Sequence, residues 1–309
     1  MLLLGQRYNF TKLELQRLDK KFTSINTIIH KDKMADEVIK EIEDILNNDK
    51  FAVVVLNTKA KVDDKIIKYL TNLKFNDRLK DVRLISIEHF LEEYLHKCYI
   101  PASNDDLHYL EDIKPFNTWQ YMQKRTFDYL AVFSLFFLTF PILLYSRFKI
   151  KKQSPGTSMF KQERVGLNNK DFKCIKFRSM HINSHHDKYT RENDTRIFPW
   201  GNNMRKTRID ELPQMINVLK GDMHFIGPRA EWNILVKEYE KEIPYYHERH
   251  LVRPGITGWA QVNYPYGANI EDTRQKLMYD LYYIKHWSIL LELKVIYKTV
   301  LVVVGKKGV

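Results

Sequence analysis

Cysteine is nearly absent from this chain: Cys98 and Cys174 are the only two in 309 residues. Two thiols build no disulfide framework and suit a reducing compartment. A secretion signal is lacking too, because the apolar run in M-L-L-L-G-Q-R-Y is too short for one. The chain is therefore expected to begin in the cytoplasm. No G-x-G-x-x-G follows the first strand-like run and there is no Walker loop, so nothing supports a nucleotide site in the N-terminal part. Acidic charge is in deficit: 38 Asp plus Glu face 50 Lys plus Arg, giving a net charge of +12 and a pI of about 9.4. That surplus asks for an anionic partner, whether nucleic acid, phospholipid headgroups or a phosphorylated substrate.

The length is compatible with two domains. Residues 1 to about 113 read as the first. Met34 to Leu46 places Ala35, Val38, Ile39, Ile42 and Ile45 at helical spacing, and Ile66 to Leu73 reads the same way. Phe51 to Leu56 and Val82 to Ile87 are apolar runs of strand length, and Phe90 to Cys98 is a further helix. Strands alternating with helices predict a small parallel α/β unit, regulatory or structural in role. His89, His96 and His108 lack ligand-like spacing and read as surface histidines. Asn104 to Phe116, acidic and carrying Pro115, reads as a linker.

Composition then changes. Tyr129 to Tyr145 contains no charge and no polar group beyond hydroxyls, borderline in length for crossing a bilayer core. Lys124 and Arg125 precede it, and Arg147, Lys149, Lys151 and Lys152 follow. Basic residues mark the cytoplasmic side, so both ends ask to be there. Pro141 interrupts the run, and a helix that enters, bends and returns satisfies both facts. A buried core helix is the bland alternative, disfavoured because the run is apolar on every face.

Arg205 to Glu231 carries the densest chemistry. Leu212, Met215, Ile216 and Leu219 fall on one helical face, Gly221 suits the helix end, and Asp210 occupies an N-cap position with Pro213 in the first turn. A carboxylate there stays ionised, and the same place suits a phosphate. Arg205, Lys206, Arg208 and Arg229 surround it in sequence, as for an anionic ligand with a divalent cation as intermediary. On this stretch alone, a helix cap serves as well as a catalytic aspartate. Upstream, Gln162 to Phe172 alternates like a hairpin with Asn168 and Asn169 at its turn. It delivers K-F-R-S-M, in which Lys176 or Arg178 would meet phosphate oxygens or serve as solvated surface charge. His185 and His186 read as part of a polar loop. R-P-G-I-T-G-W-A-Q-V is a tight loop presenting backbone N–H groups. Trp287 to Val304, apolar but carrying Glu292, Lys294 and Lys298 before G-K-K-G, suits a helix lying among headgroups.

D-E-L-P-Q followed by G-D-M and I-G-P-R, with K-F-R-S-M before and R-P-G-I-T-G-W-A-Q-V after, resembles the catalytic core of bacterial sugar transferases, the monotopic phosphoglycosyl transferases. The likeness runs from about Gln123 to the C-terminus, and K-R-T-F-D at Lys124–Asp128 is similar to the start of the family's membrane helix. One departure is Ala230, where the family usually has a second proline after Arg229, which puts nucleotide preference in question.

The resemblance implies a mixed α/β chain: a Rossmann-like domain over residues 1–113, then a mainly helical monotopic catalytic domain over 114–309 with a re-entrant helix at about 119–152. It implies transfer of sugar-1-phosphate from a UDP-sugar to polyprenyl (undecaprenyl) phosphate at the cytoplasmic face of the inner membrane, releasing UMP, as the first membrane step of a surface glycan. Asp210 would be the nucleophile, with Glu211 helping to hold Mg²⁺. Lys176, Arg178, Arg205, Arg229, Arg253 and Asp280 would line the substrate site. Phospholipid is an expected partner and nucleic acid is not, since the basic residues gather at the membrane flanks rather than in a stripe with interleaved aromatics. Homo-oligomerisation stays open, as does the sugar. The alternatives are a nucleotide-sugar phosphodiesterase and a non-catalytic basic membrane scaffold.

Overall fold

The N-terminal apolar run is a strand, β1 (Leu2–Leu4). It lies between β2 (Asn26–Ile28) and β3 (Val53–Leu56), with β4 (Arg83–Ser86) beyond, in a parallel sheet of order β2-β1-β3-β4. Helix α1 (Lys12–Leu18) starts with a capping box in which Thr11 and Glu14 exchange side-chain and backbone bonds. Helices α2 (Ala35–Asn48) and α3 (Asp64–Leu73) turn Val38, Ile42, Ile66 and Leu70 onto Leu2, Leu4 and Val54 to form one core. The last helix, α4 (Ile87–Phe90), widens into a single π turn, Leu91–Leu95, so it starts and ends three residues earlier than the sequence suggests. His89 is exposed there, whereas His96 is half-buried.

The computed structural model describes residues 1–31, 33–48, 53–58, 62–73, 75, 82–103, 111, 113–182, 194–265, 267 and 269–304. It divides into two units, Met1–Tyr99 and Ile100–Val309. His108, His185, His186, the G-K-K-G run and most of the expected linker lie outside the described residues.

In the second unit the apolar run belongs to α5 (Thr118–Gln153), begun by an Asn117–Gln120 capping box. The expected interruption at Pro141 is absent as a break in secondary structure: α5 is one 36-residue helix. Among the described residues it alone is long and apolar enough to cross a membrane. Leu130, Phe137, Leu138 and Phe148 on it are well exposed, so this is no core helix. Its two shoulders are anchored. Val132, Leu135 and Leu143 pack with Met215 and Val218, while Ile150 packs with Phe177, Phe198 and Met204.

Strands β5 (Met159–Val165) and β6 (Asp171–Phe177) form the expected antiparallel hairpin. Asn168 and Asn169 sit at its turn with φ of 53° and 58°, a conformation asparagine tolerates. Then come α6 (Pro199–Thr207), a 3-10 turn (Ile209–Gln214), α7 (Met215–Lys220) and β7 (His224–Ile226). They are followed by α8 (Asn233–Glu242), a 3-10 turn (Tyr246–Leu251), β8 (Gly255–Thr257), α9 (Trp259–Asn263), α10 (Ile270–Lys285) and α11 (Ile289–Val304).

On α11, Leu290, Leu293, Tyr297, Val300 and Leu301 are exposed as expected, but Glu292 points inward and is fully buried. Its partner is Lys124, also fully buried, with Nζ donating to Glu292 Oε2 at 2.8 Å. Lys124 is therefore not one of the headgroup-facing charges that the sequence suggests.

Candidate active site

Arg208 makes the corner on which the site is built. It is a non-glycine residue with φ of 58°, ending α6 and opening the 3-10 turn that carries Asp210 and Glu211. Left-handed backbone at such a residue is uncommon and tends to accompany functional sites. This turn corrects the expected N-cap. Asp210 lies within the turn, and the residue in the cap position is Arg208. The buried face also differs, since Val218 joins Met215 inside while Ile216 and Leu219 are exposed. Gly221 ends α7 in the left-handed conformation, as its position in the sequence suggests.

Buried Asn217 on α7 ties this segment to the hairpin, accepting from the Ile175 N–H at 2.9 Å and donating to the Lys173 carbonyl at 2.8 Å. Lys176 is thereby carried to Glu211. Glu211 Oε1 lies 3.0 Å from Lys176 Nζ, 3.3 Å from Arg229 Nη2 and 3.9 Å from Arg208 Nη1. Burial works to raise the Glu211 carboxyl, but these three cations outweigh it and hold the group well below the usual carboxylate range. The Arg229 guanidinium is raised in turn, chiefly by Glu211.

Asp210 is treated differently. Burial and then the Glu211 charge push its carboxyl up to about 6, against the pull of Lys176, Arg205 and Arg208. Its Oδ1 is buried and has no hydrogen-bond partner among the described residues. An orphaned carboxylate oxygen beside several cations is a place for something the protein itself does not supply.

The loop after β7 brings in Arg229. Gly227 lies against Gly255 and Gly258 so closely that an added Cβ on Gly255 would sit 2.1 Å from the Gly227 nitrogen. Glycine is needed for that approach. The Gly255 N–H donates to the Pro228 carbonyl and the Gly227 N–H to the Thr257 carbonyl, both at 2.9 Å. The R-P-G-I-T-G loop thus spends its Gly255 N–H on the Arg229 loop and takes the Gly227 N–H in return. Arg164 Nη1 reaches the Ala230 carbonyl at 3.2 Å, and Arg249 Nη2 the Arg229 carbonyl at 2.9 Å.

The expected site residues separate into two groups. Asp210, Glu211, Lys176 and Arg229 come together, with Arg205 half-buried and acting on Asp210 through its charge. Arg178 has other work: it donates to Ser154 Oγ and to the carbonyls of Ser154, Pro155, Thr157 and Met180, which clamps the chain leaving α5. Arg253 donates to the Gly221 carbonyl at 2.6 Å and stacks over Tyr121. Asp280 is buried against Arg249 at 2.8 Å, its carboxyl raised to about 6 by burial with Arg249 opposing. Arg208, read in the sequence only among the cations around Asp210, pairs with Glu211 at 3.9 Å, whereas Arg164 and Arg249 were not legible as site residues.

The family model described as bacterial sugar transferase matches residues 119–306. The chain belongs to the bacterial sugar transferase family. It is 48% identical over 179 residues to a UDP-N-acetylgalactosamine-undecaprenyl-phosphate N-acetylgalactosaminephosphotransferase of Aeromonas hydrophila, covering 57% of this chain and 42% of that protein. A UDP-glucose:undecaprenyl-phosphate glucose-1-phosphate transferase of Xanthomonas campestris pv. campestris is 42% identical over 183 residues, 58% of this chain and 38% of that protein. An exopolysaccharide production protein of Rhizobium leguminosarum bv. phaseoli is 39% identical over 186 residues, 57% of this chain and 92% of that protein. The chain thus spans about two fifths of the length of the first two of these relatives. Asp210, Glu211, Lys176 and Arg229 all lie inside the matched region of this sugar transferase chain.

Proposed function

We propose that the protein transfers sugar-1-phosphate from a UDP-sugar to polyprenyl phosphate, with Asp210 as nucleophile. The observation that carries this reading is the unpartnered, buried Asp210 oxygen beside a Glu211 already neutralised by Lys176, Arg229 and Arg208. An Asp210 oxygen attacks the sugar-proximal phosphorus, the bond from that phosphorus to the bridging oxygen breaks, and UMP leaves with the electron pair. The phosphate of the lipid then attacks the same phosphorus and frees the Asp210 carboxylate, which leaves a diphosphate-linked sugar on the lipid. Lys176, Arg205, Arg208 and Arg229 supply fixed positive charge to the diphosphate, which costs no reorganisation during reaction.

A divalent cation fits this donor set at Asp210 Oδ1. Mg²⁺ is held by one or two carboxylates plus substrate phosphates, and it would neutralise charge on the diphosphate and the leaving UMP. Glu211 Oε1 is taken by three cations, so Glu211 would contribute through its other oxygen.

A membrane-bound acceptor requires the site to sit at the interface, and α5 with its exposed apolar residues supports that placement. We read α5 as re-entrant from the cytoplasmic face. A straight 36-residue helix would be about 54 Å long, well beyond the ~30 Å hydrocarbon core. Leu143, about three helical turns beyond Val132, packs into the same cluster with Val218, which anchors α5 on both sides of Pro141. Arg147, Lys149, Lys151 and Lys152 favour the cytoplasmic side for the returning end.

The test incubates membranes containing the protein with polyprenyl phosphate and radiolabelled UDP-sugars, UDP-N-acetylgalactosamine and UDP-glucose first. Lipid-extractable label from one donor, absent with Asp210→Asn, is expected. UMP release without the lipid would point to a hydrolase instead, and no label from a folded, membrane-bound protein would overturn the reading.

A further inference from the structure

Asp128, on the first turns of α5, is fully buried, and its carboxylate is saturated. Oδ1 accepts from Lys124 Nζ at 3.2 Å and from the Phe225 N–H at 2.8 Å. Oδ2 lies 3.3 Å from Arg125 Nη1 and 2.6 Å from His224 Nδ1. A carboxylate has about four lone-pair sites, and here each has a donor. His224 is neutral, burial pushing it down to about 4, so the ring proton on Nδ1 is the one that faces Asp128.

Two of these donors belong to β7, which ends at Ile226, three residues before Arg229. The adjacent Arg125 donates through the same Nη1 to the Val218 carbonyl at 3.0 Å. Val218 lies on α7, the helix that continues directly from the turn bearing Asp210 and Glu211. One turn of the membrane helix therefore grips both arms of the site: the arm that carries the carboxylates and the arm that carries Arg229. The Glu211–Arg229 contact is made between those arms.

We propose that Asp128 is a positioning residue which, with Arg125, sets the distance between the Asp210–Glu211 arm and the Arg229 arm, and so makes site geometry depend on how α5 is seated. Asp128 touches no substrate. Its effect passes through His224 and Phe225 to the loop that presents Arg229. This rests on the transfer reaction proposed above.

The experiment uses the full chain in membranes and compares wild type with Asp128→Asn, Arg125→Lys and Trp287→Phe. The last variant loosens the same buried cluster by removing the 2.8 Å Trp287 Nε1 bond to Glu292, and leaves in place every bond of Asp128 and Arg125 to β7 and α7. Transfer rate, melting temperature and hydrogen exchange over residues 224–229 are read for each. Asp128→Asn is expected to lower kcat about 10- to 100-fold, the cost of a misplacement near 1 Å, with faster exchange over 224–229. Arg125→Lys should lower kcat less, in the same direction. Trp287→Phe should lower the melting temperature while keeping kcat.

Wild-type kcat in Asp128→Asn overturns the proposal, as does an equal kcat loss in Trp287→Phe at a matched fall in melting temperature. If Asp128→Asn does not fold, Arg125→Lys decides alone, and wild-type kcat there overturns it. If the wild type itself transfers nothing, the reaction is what fails. Exchange over 224–229 then still decides whether Asp128 holds that strand.

Discussion

Asp210 and Glu211 follow one another in the chain and are driven to opposite proton affinities. Separated affinities suit the separate roles proposed for them: Glu211 as a fixed anion that organises cations, and Asp210 as a carboxylate with an oxygen to give. Asp210→Asn should reduce transfer by roughly 10⁴-fold or more, as loss of a nucleophile does, with little change in melting temperature; initial rates and thermal melts check both halves. Arg178→Ala should do the reverse. Its donors hold backbone carbonyls at residues 154, 155, 157 and 180, so its loss should cost on the order of 3 kcal/mol in stability and leave the donor KM of the folded protein unchanged. A raised donor KM at wild-type stability would return Arg178 to the phosphate. His224 gives a pH effect. Its affinity falls from the ordinary 6.5 to about 4 through burial, opposed by its bond to Asp128, so the unfolded chain takes up a proton that the folded one refuses. The stability this confers is complete above about pH 6.5 and is lost as pH falls toward 4, about 3 kcal/mol at most. Melting temperature should therefore drop between neutral pH and about pH 5, and drop less steeply in His224→Gln.

At the scale of elements, legibility followed periodicity. The helices α2 and α3 and the β5–β6 hairpin carry repeats that survive in the structure, because each buries one face against a sheet or a neighbouring arm. Strand β1 has three residues and no repeat to read; it is a strand only because β2 and β3 pair with it. The corner at Arg208 was unreadable for a different reason, since neither glycine nor asparagine marks the left-handed residue. Lys124 and Glu292 looked like solvated charges because each has its partner 168 positions away. Helix α5 was legible as apolar, and the re-entrant path proposed for it has two consequences. Leu138 is 81% exposed close to Pro141, so the re-entrant reading puts it deep in the hydrocarbon. Leu138→Arg should cost about 3 kcal/mol of membrane affinity and move protein out of the membrane fraction on flotation. Single cysteines at Met122 and Lys152 should both react with an impermeant maleimide from the cytoplasmic side. Labelling from opposite sides would mean that α5 spans.

The two units have separate cores, and the whole site belongs to the second. Asp210, Glu211, Lys176, Arg205, Arg208 and Arg229 all fall in Ile100–Val309, as does the matched stretch 119–306. The first unit closes its own sheet with Leu2, Leu4, Val54 and the apolar faces of α2 and α3. Polar groups inside it pair with one another: buried Lys97 pairs with buried Glu14, and Asn57 bonds both backbone groups of Tyr8. No charge from that unit is needed to build the pocket around Asp210, whose affinity is set by Glu211, Lys176, Arg205 and Arg208. A chain restricted to residues 100–309 should therefore fold, bind membranes and transfer sugar phosphate with kcat within a few-fold of the full protein. Parallel assays on matched amounts of membrane-bound protein check this. Loss of transfer by a folded, membrane-bound 100–309 chain would show that the first unit acts on the reaction, and a loss confined to one donor would place that action in sugar choice.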